Sequence, residues 1–192
     1  MSPLPSDERR ALLALARLAI SEAVQHRPLP EPANLSPDLE NPAGAFVSLH
    51  LRGRLRGCIG QVEPLQSLAA AVASCAVAAA TEDPRFDPVS REDIPQLEIE
   101  VSVLSPRAPI RLEEIEIGKH GLIVSRARMR GLLLPQVATQ YQWNPERFLE
   151  ETCRKAGLDG DAWRDPMTTV EGFTAEVFSD ADFPAQQRAQ AS

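Results

Sequence analysis

The segment Leu97–Leu104, LEIEVSVL, limits the fold most strongly, because its apolar and polar residues alternate with hardly a break. Leu97, Ile99, Val101 and Val103 fall on one side of an extended chain, and Glu98, Glu100 and Ser102 on the other. A helix would scatter these side chains around its axis, whereas a strand gathers them into one dry and one wet face. Such a strand belongs in an antiparallel sheet covered on a single face.

Other stretches share this period. From Ala45, the residues Val47, Leu49 and Leu51 alternate with Ser48 and His50, and after a turn near Arg52 and Gly53 the chain returns as RLRGCIGQV. Alternation along that return places Leu55, Gly57 and Ile59 on one face and Arg54, Arg56 and Cys58 on the other. A second hairpin is expected from HGLIV to GLLLP around SRARMR, and a last strand over 168–178.

Helical signals lie between these strands. A helix is expected over 7–25, capped by Ser6, with Asp7 and Glu8 in its first turn and Pro28 beyond its end. Leu13, Ala16, Ile20 and Val24 form its apolar stripe. An alanine-rich helix is expected over 64–81 with Pro64 at its first position, and a short helical turn over 136–141. Asn144 and Pro145 open another over PERFLEETCRKAG, which Gly157 stops. The chain has seventeen prolines against ten glycines, so many prolines must punctuate loops. Residues 28–44 read as a proline-rich connector, and EDPRFDPVSRED as a loop. Hairpins mixed with flanking helices, without regular βαβ alternation, predict an α+β fold with a largely antiparallel sheet.

A length of 192 residues suits one well-packed domain, here 1–192 with a core of about 8–183 and a flexible tail over 184–192. A formal net charge of −7 argues against a chain that coats nucleic acid or anionic membrane. Three cysteines without a CxxC pair favour a reducing compartment. MSPLPSDERR lacks the apolar core of a leader, and no run is long enough to cross a bilayer, so a cytoplasmic location is expected.

Cys58 is the first residue that could carry chemistry. It lies between Gly57 and Gly60, which permit close approach of backbone or ligand, and shares a face with Arg56. A guanidinium at that spacing favours the thiolate, the reactive form of cysteine, although an unpaired cysteine also serves as a small apolar residue. Cys75 and Cys153 read as core residues. Glu98 and Glu100 share a strand face and are either its solvated side or a pair suited to proton transfer. If their strand neighbours that of Cys58, the thiol, guanidinium and carboxylates converge. His120, before Gly121 at a strand start, stands where it could carry a proton or be an ordinary surface residue.

Arg52, Arg54 and Arg56 straddle one hairpin turn, and Arg126, Arg128 and Arg130 the other. Such tips could grip phosphate or carboxylate, or could blunt exposed edges. One tyrosine and two tryptophans give little material for stacking on bases, so nucleic acid is not expected as a partner. No histidine or cysteine pair has zinc-site spacing, and P-loop, GxGxxG, HExxH and GxSxG motifs are missing. Neither structural zinc nor a cofactor is expected, and a metal held by Glu98, Glu100 and His120 is an alternative that no spacing supports.

Several blocks, in order, carry a resemblance. LRGCIG at 55–60, EDPRFDPVSREDIPQLEIEVSVLSP at 82–106, IGKHGLIV at 117–124, GLLLPQV at 131–137, FLEETCRKAGL at 148–158 and FTAEVF at 173–178 resemble the AMMECR domain family. The resemblance implies an α+β fold with a larger and a smaller lobe, and a functional cleft lined by Arg56, Gly57, Cys58, Ile59 and Gly60. It implies company as well, since bacterial members accompany a Memo-like protein and a radical SAM protein. SRARMR departs from the glycine-rich turn of relatives.

Taken together, these readings describe a protein that binds a small polar or anionic molecule. Cys58 would be its nucleophile or redox thiol, Arg56 would orient an anion, and Glu100 and His120 would handle protons. Arg85, Glu98 and Gln136 would be outer binding groups. The alternatives are a non-catalytic adaptor and, more remotely, a binder associated with RNA modification.

Overall fold

The computed structural model describes residues 3–29 and 36–183. The tail expected over 184–192 lies outside them, as do residues 30–35 of the connector. The chain divides into two compact units, one from its start to Leu104 together with the residues from Glu176 on, the other Ser105–Ala175. The fold is α+β, and the strands pair antiparallel.

In the first unit, β1 (Ala45–Leu51) pairs on one side with β2 (Arg54–Gln61) and on the other with β3 (Leu97–Leu104). Alternation puts Val47, Leu49, Ile99 and Val101 on the dry face, each fully buried. Two helices supply the rest of that core, α1 (Ser6–Val24) and α3 (Leu68–Thr81). Leu12, Leu13, Ala16, Ala19 and Ile20 form the buried stripe of α1. Alanine dominates α3, and its small side chains let the helix backbone approach the sheet closely at Gly57.

Three local expectations need correction. Ser6 is the first residue of α1 rather than its cap, and Pro5 occupies the cap position without a side-chain bond. The alanine-rich helix begins at Leu68, not Pro64, because the Ser67 hydroxyl accepts the Ala70 N–H at 3.3 Å and so defines the start. Strict alternation along β2 also fails. Gly57 faces Leu49, but Leu55 faces His50, so Arg56 is an extra residue in a bulge. Leu55 accordingly stands exposed instead of joining the face of Gly57 and Ile59. Within the proline-rich connector, α2 (Pro37–Glu40) adds one helical turn that buries Leu39.

Arg17 interrupts the leucine-rich run of α1 for a physical reason. Its guanidinium donates to the carbonyls of Ile94 at 3.0 Å and Leu97 at 2.8 Å, and to Asp180 Oδ2 at 2.5 Å. The same Asp180 oxygen accepts the Ile99 N–H at 2.9 Å, which clamps α1, β3 and the residues after Ser179 together. Asp180→Ala is therefore expected to lower stability by about 2 kcal/mol, because it removes the anionic partner of Arg17 and leaves the Ile99 N–H without its acceptor. Denaturant melts would show it, and a loss below about 0.5 kcal/mol would remove the clamp from consideration.

In the second unit, β5 (His120–Arg126) lies between β6 (Met129–Leu133) and β7 (Thr169–Ser179), whose residues through Ala175 belong here. A two-residue strand, β4 (Ala108–Pro109), also pairs with β7. Two helices follow the hairpin, α4 (Pro135–Gln140) and α5 (Pro145–Lys155). The Asn144 side chain accepts the Arg147 N–H at 2.8 Å, and Gly157, at φ +77°, ends the helix as expected. Phe148, Leu149 and Cys153 of α5 pack with Leu122 and Val124 of β5. No helix among the described residues is long and apolar enough to cross a membrane.

Candidate functional site

β2 pairs with β1 on one side and ends the strand order, so it is an edge strand whose outward backbone groups need partners. At Cys58, side chains of the loop after α3 supply them. The Cys58 N–H donates to Asp83 Oδ2 at 2.8 Å, and its carbonyl accepts from Arg85 Nη2 at 3.3 Å. Asp83 in turn accepts from the Arg85 N–H at 3.1 Å, from Nε at 2.9 Å and from Nη2 at 2.7 Å. Arg56, from the bulge, donates to the carbonyls of Asp87 and Pro88. The loop thus holds the edge as a further strand would, but with side chains.

Asp83 is 5% exposed. The Arg85 guanidinium and the N–H groups of Cys58 and Arg85 hold its carboxyl well below the usual carboxylate range, against the opposing effect of burial. Arg85 is correspondingly raised, chiefly by Asp83, with the Cys58 thiol among the smaller contributors. Asp83 was not among the residues the sequence reading selected. The signal was present in the acidic residue before Pro84 and Arg85, but nothing local marks a carboxylate that braces a strand 25 residues away.

On the polar face of the sheet, Cys58 lies opposite Ser48, and Ser48 lies opposite Glu100. The strands of Cys58 and Glu100 are therefore not neighbours, because β1 runs between them. Ser48 Oγ donates to Cys58 Sγ at 3.3 Å, so the row reads thiol, hydroxyl, carboxylate. Glu100 is half-buried, while Glu98, opposite His50, is exposed. The glycines of the block serve packing. A Cβ on Gly57 would lie 2.0 Å from the Ala79 carbonyl oxygen, and one on Gly60 would lie 2.2 Å from the Phe46 ring.

The three thiols differ in their surroundings. Cys75 is buried, and burial pushes its thiol up to about 11. Cys153 is buried and raised for the same reason. Cys58 is half-buried. Beside its strand lies an open depression of about 440 Å³ lined by Arg56, Pro84, Arg85, Phe86 and Asp87.

His120 and Gln136 belong to the second unit. His120 Nδ1 accepts the Glu116 N–H at 3.0 Å, so proton handling by this ring would fall to Nε2. Gln136 is exposed in the first turn of α4. At the hairpin tips, Arg52 donates to Gln96 and Arg126 pairs with Asp165 at 3.1 Å. Among the described residues no group of three or more histidines, cysteines or acids is placed to hold a metal ion.

The family model AMMECR1 matches residues 13–178, from the α1 stripe to the end of β7. The chain belongs to this family. A relative of AMMECR1 type from Methanothermobacter thermautotrophicus is 45% identical over 92% of this chain and 96% of its own length. One from Aquifex aeolicus is 38% identical over 90% of this chain and 93% of its own. The crystal structure of an uncharacterized protein from Pyrococcus horikoshii has the same fold, with a TM-score of 0.81 and 41% identity over 88% of this chain and 89% of that one. In this AMMECR1 chain, the RGCIG block lies on the edge strand β2, whose main chain Asp83 and Arg85 brace at Cys58.

Proposed function

We propose that this AMMECR1 protein is one component of a three-part system with a Memo-like and a radical SAM protein. In it, the first unit binds a small polar or anionic molecule at the RGCIG block, and Cys58 is the reactive thiol. The observation that carries the reading is the difference among the thiols. Cys75 and Cys153 are buried, whereas Cys58 is half-buried beside a depression bearing Arg56 and Arg85. Those guanidiniums anchor the anionic group. Ser48 and Glu100 form the route by which a proton leaves or reaches the sulfur, with Glu98 further out on the same face. Gly57 and Gly60 keep the strand close to its neighbours, so the bracing loop can hold Cys58 in one position.

Alkylation of the folded protein with iodoacetamide at neutral pH, read by peptide mass spectrometry, tests this reading. Cys58 is expected to be modified at least about tenfold faster than Cys75 or Cys153, which react only after denaturation. Equal protection of all three would end the thiol assignment.

A further inference from the structure

Resting on the small-molecule reading above, we infer that the depression beside β2 takes a small zwitterion, with a carboxylate and an ammonium group on a short apolar body. The charges around the depression balance. Arg56 and Arg85 bring two guanidiniums; Asp87, in the lining, and Asp83, paired to Arg85, bring two carboxylates. A dianion would set its second charge against the carboxylates, and a plain cation would meet the guanidiniums. A ligand with both signs matches the site.

The donors left over say which end goes where. Arg85 commits Nε and Nη2 to Asp83, and its Nη1 has no partner among the described residues. Arg56 gives Nη1 and Nη2 to neutral carbonyls and is in no ion pair among the described residues, which leaves Nε and its positive charge for a ligand. The Asp93 carboxyl is held below its ordinary range chiefly by the Ser90 N–H, which it accepts at 3.0 Å, with Arg56 a smaller contributor. The Asp87 carboxylate is exposed and in no ion pair among the described residues. The anionic end therefore meets Arg56 Nε and Arg85 Nη1, and the ammonium meets Asp87. Phe86 and Pro84 form the apolar wall, and the Arg85 guanidinium stacks 5.3 Å from the Phe86 ring, which limits its motion.

Calorimetric titration of the full chain with four probes tests this: L-leucine, N-acetyl-L-leucine, L-leucinamide and inorganic phosphate. L-Leucine is expected to bind, and each other probe to bind about tenfold more weakly or worse. Asp87→Asn should close the gap between L-leucine and its N-acetyl form, and Arg56→Gln should weaken both. If N-acetyl-L-leucine or phosphate binds wild type as tightly as L-leucine, or Asp87→Asn leaves the gap intact, the zwitterion inference falls while anion binding stands. Binding of L-leucinamide alone, or of no probe, overturns both.

Discussion

Gly57→Ala is expected to cost about 3 kcal/mol or more, a large share of the stability of a domain this size. The added Cβ would lie 2.0 Å from the Ala79 oxygen and 3.0 Å from its carbonyl carbon, both backbone atoms of α3. Neither can rotate away as a side chain would. Either the helix lifts from β2, which opens the core at Ile59 and Cys75, or the strand shifts along its bulge. Gly53, at φ +74° on the hairpin tip, is the control. A Cβ there meets nothing within 4 Å, so Gly53→Ala costs only the left-handed strain of about 1–2 kcal/mol. Urea midpoints of the two variants, compared at equal m-values, decide the matter. A Gly57→Ala cost no larger than that of Gly53→Ala would mean that α3 does not ride on the strand backbone.

Asp83→Ala is expected to cost about 2–3 kcal/mol, since it orphans the Cys58 N–H and the Arg85 N–H. The cost stays below that of breaking a fully buried pair, because the Arg85 side chain is 56% exposed and water replaces part of its partner. The pH dependence follows from the direction of the shift. The folded carboxyl lies below its unfolded value, so its contribution is complete above the ordinary carboxylate range and is lost progressively as pH falls from there through the lowered folded value. Between about pH 5 and pH 2, wild type should lose stability that Asp83→Asn does not. Denaturant melts across that range measure the difference. Parallel curves for the two proteins would mean that the brace carries no titrating charge. Freed from the brace, Cys58 in Asp83→Asn should also alkylate faster than in wild type, which ties the stability effect to the proposed site.

How much could be read in advance depended on the range of each interaction. LEIEVSVL announces β3, since burial on one face is a property of neighbouring side chains. Asn144 and Gly157 announce the ends of α5, since a cap acts across a single turn. Pro64 misled because proline permits a helix start without requiring one, and the Ser67 hydroxyl three residues on provides an actual bond. The bulge at Arg56 left no local mark, because a register shift belongs to a pair of strands and not to either alone.

From the amino-acid order alone come the α+β class, both hairpins, the principal helices and the selection of Cys58 with its arginines and glycines. All follow from periodicities and turn chemistry that act within a few residues. Only the folded chain decides that β1 separates Cys58 from Glu100 and places Ser48 between them. The same holds for Asp83, which reaches across to the edge of β2. Backbone groups on an edge must be satisfied, but which distant side chain does so is chosen when the whole unit packs.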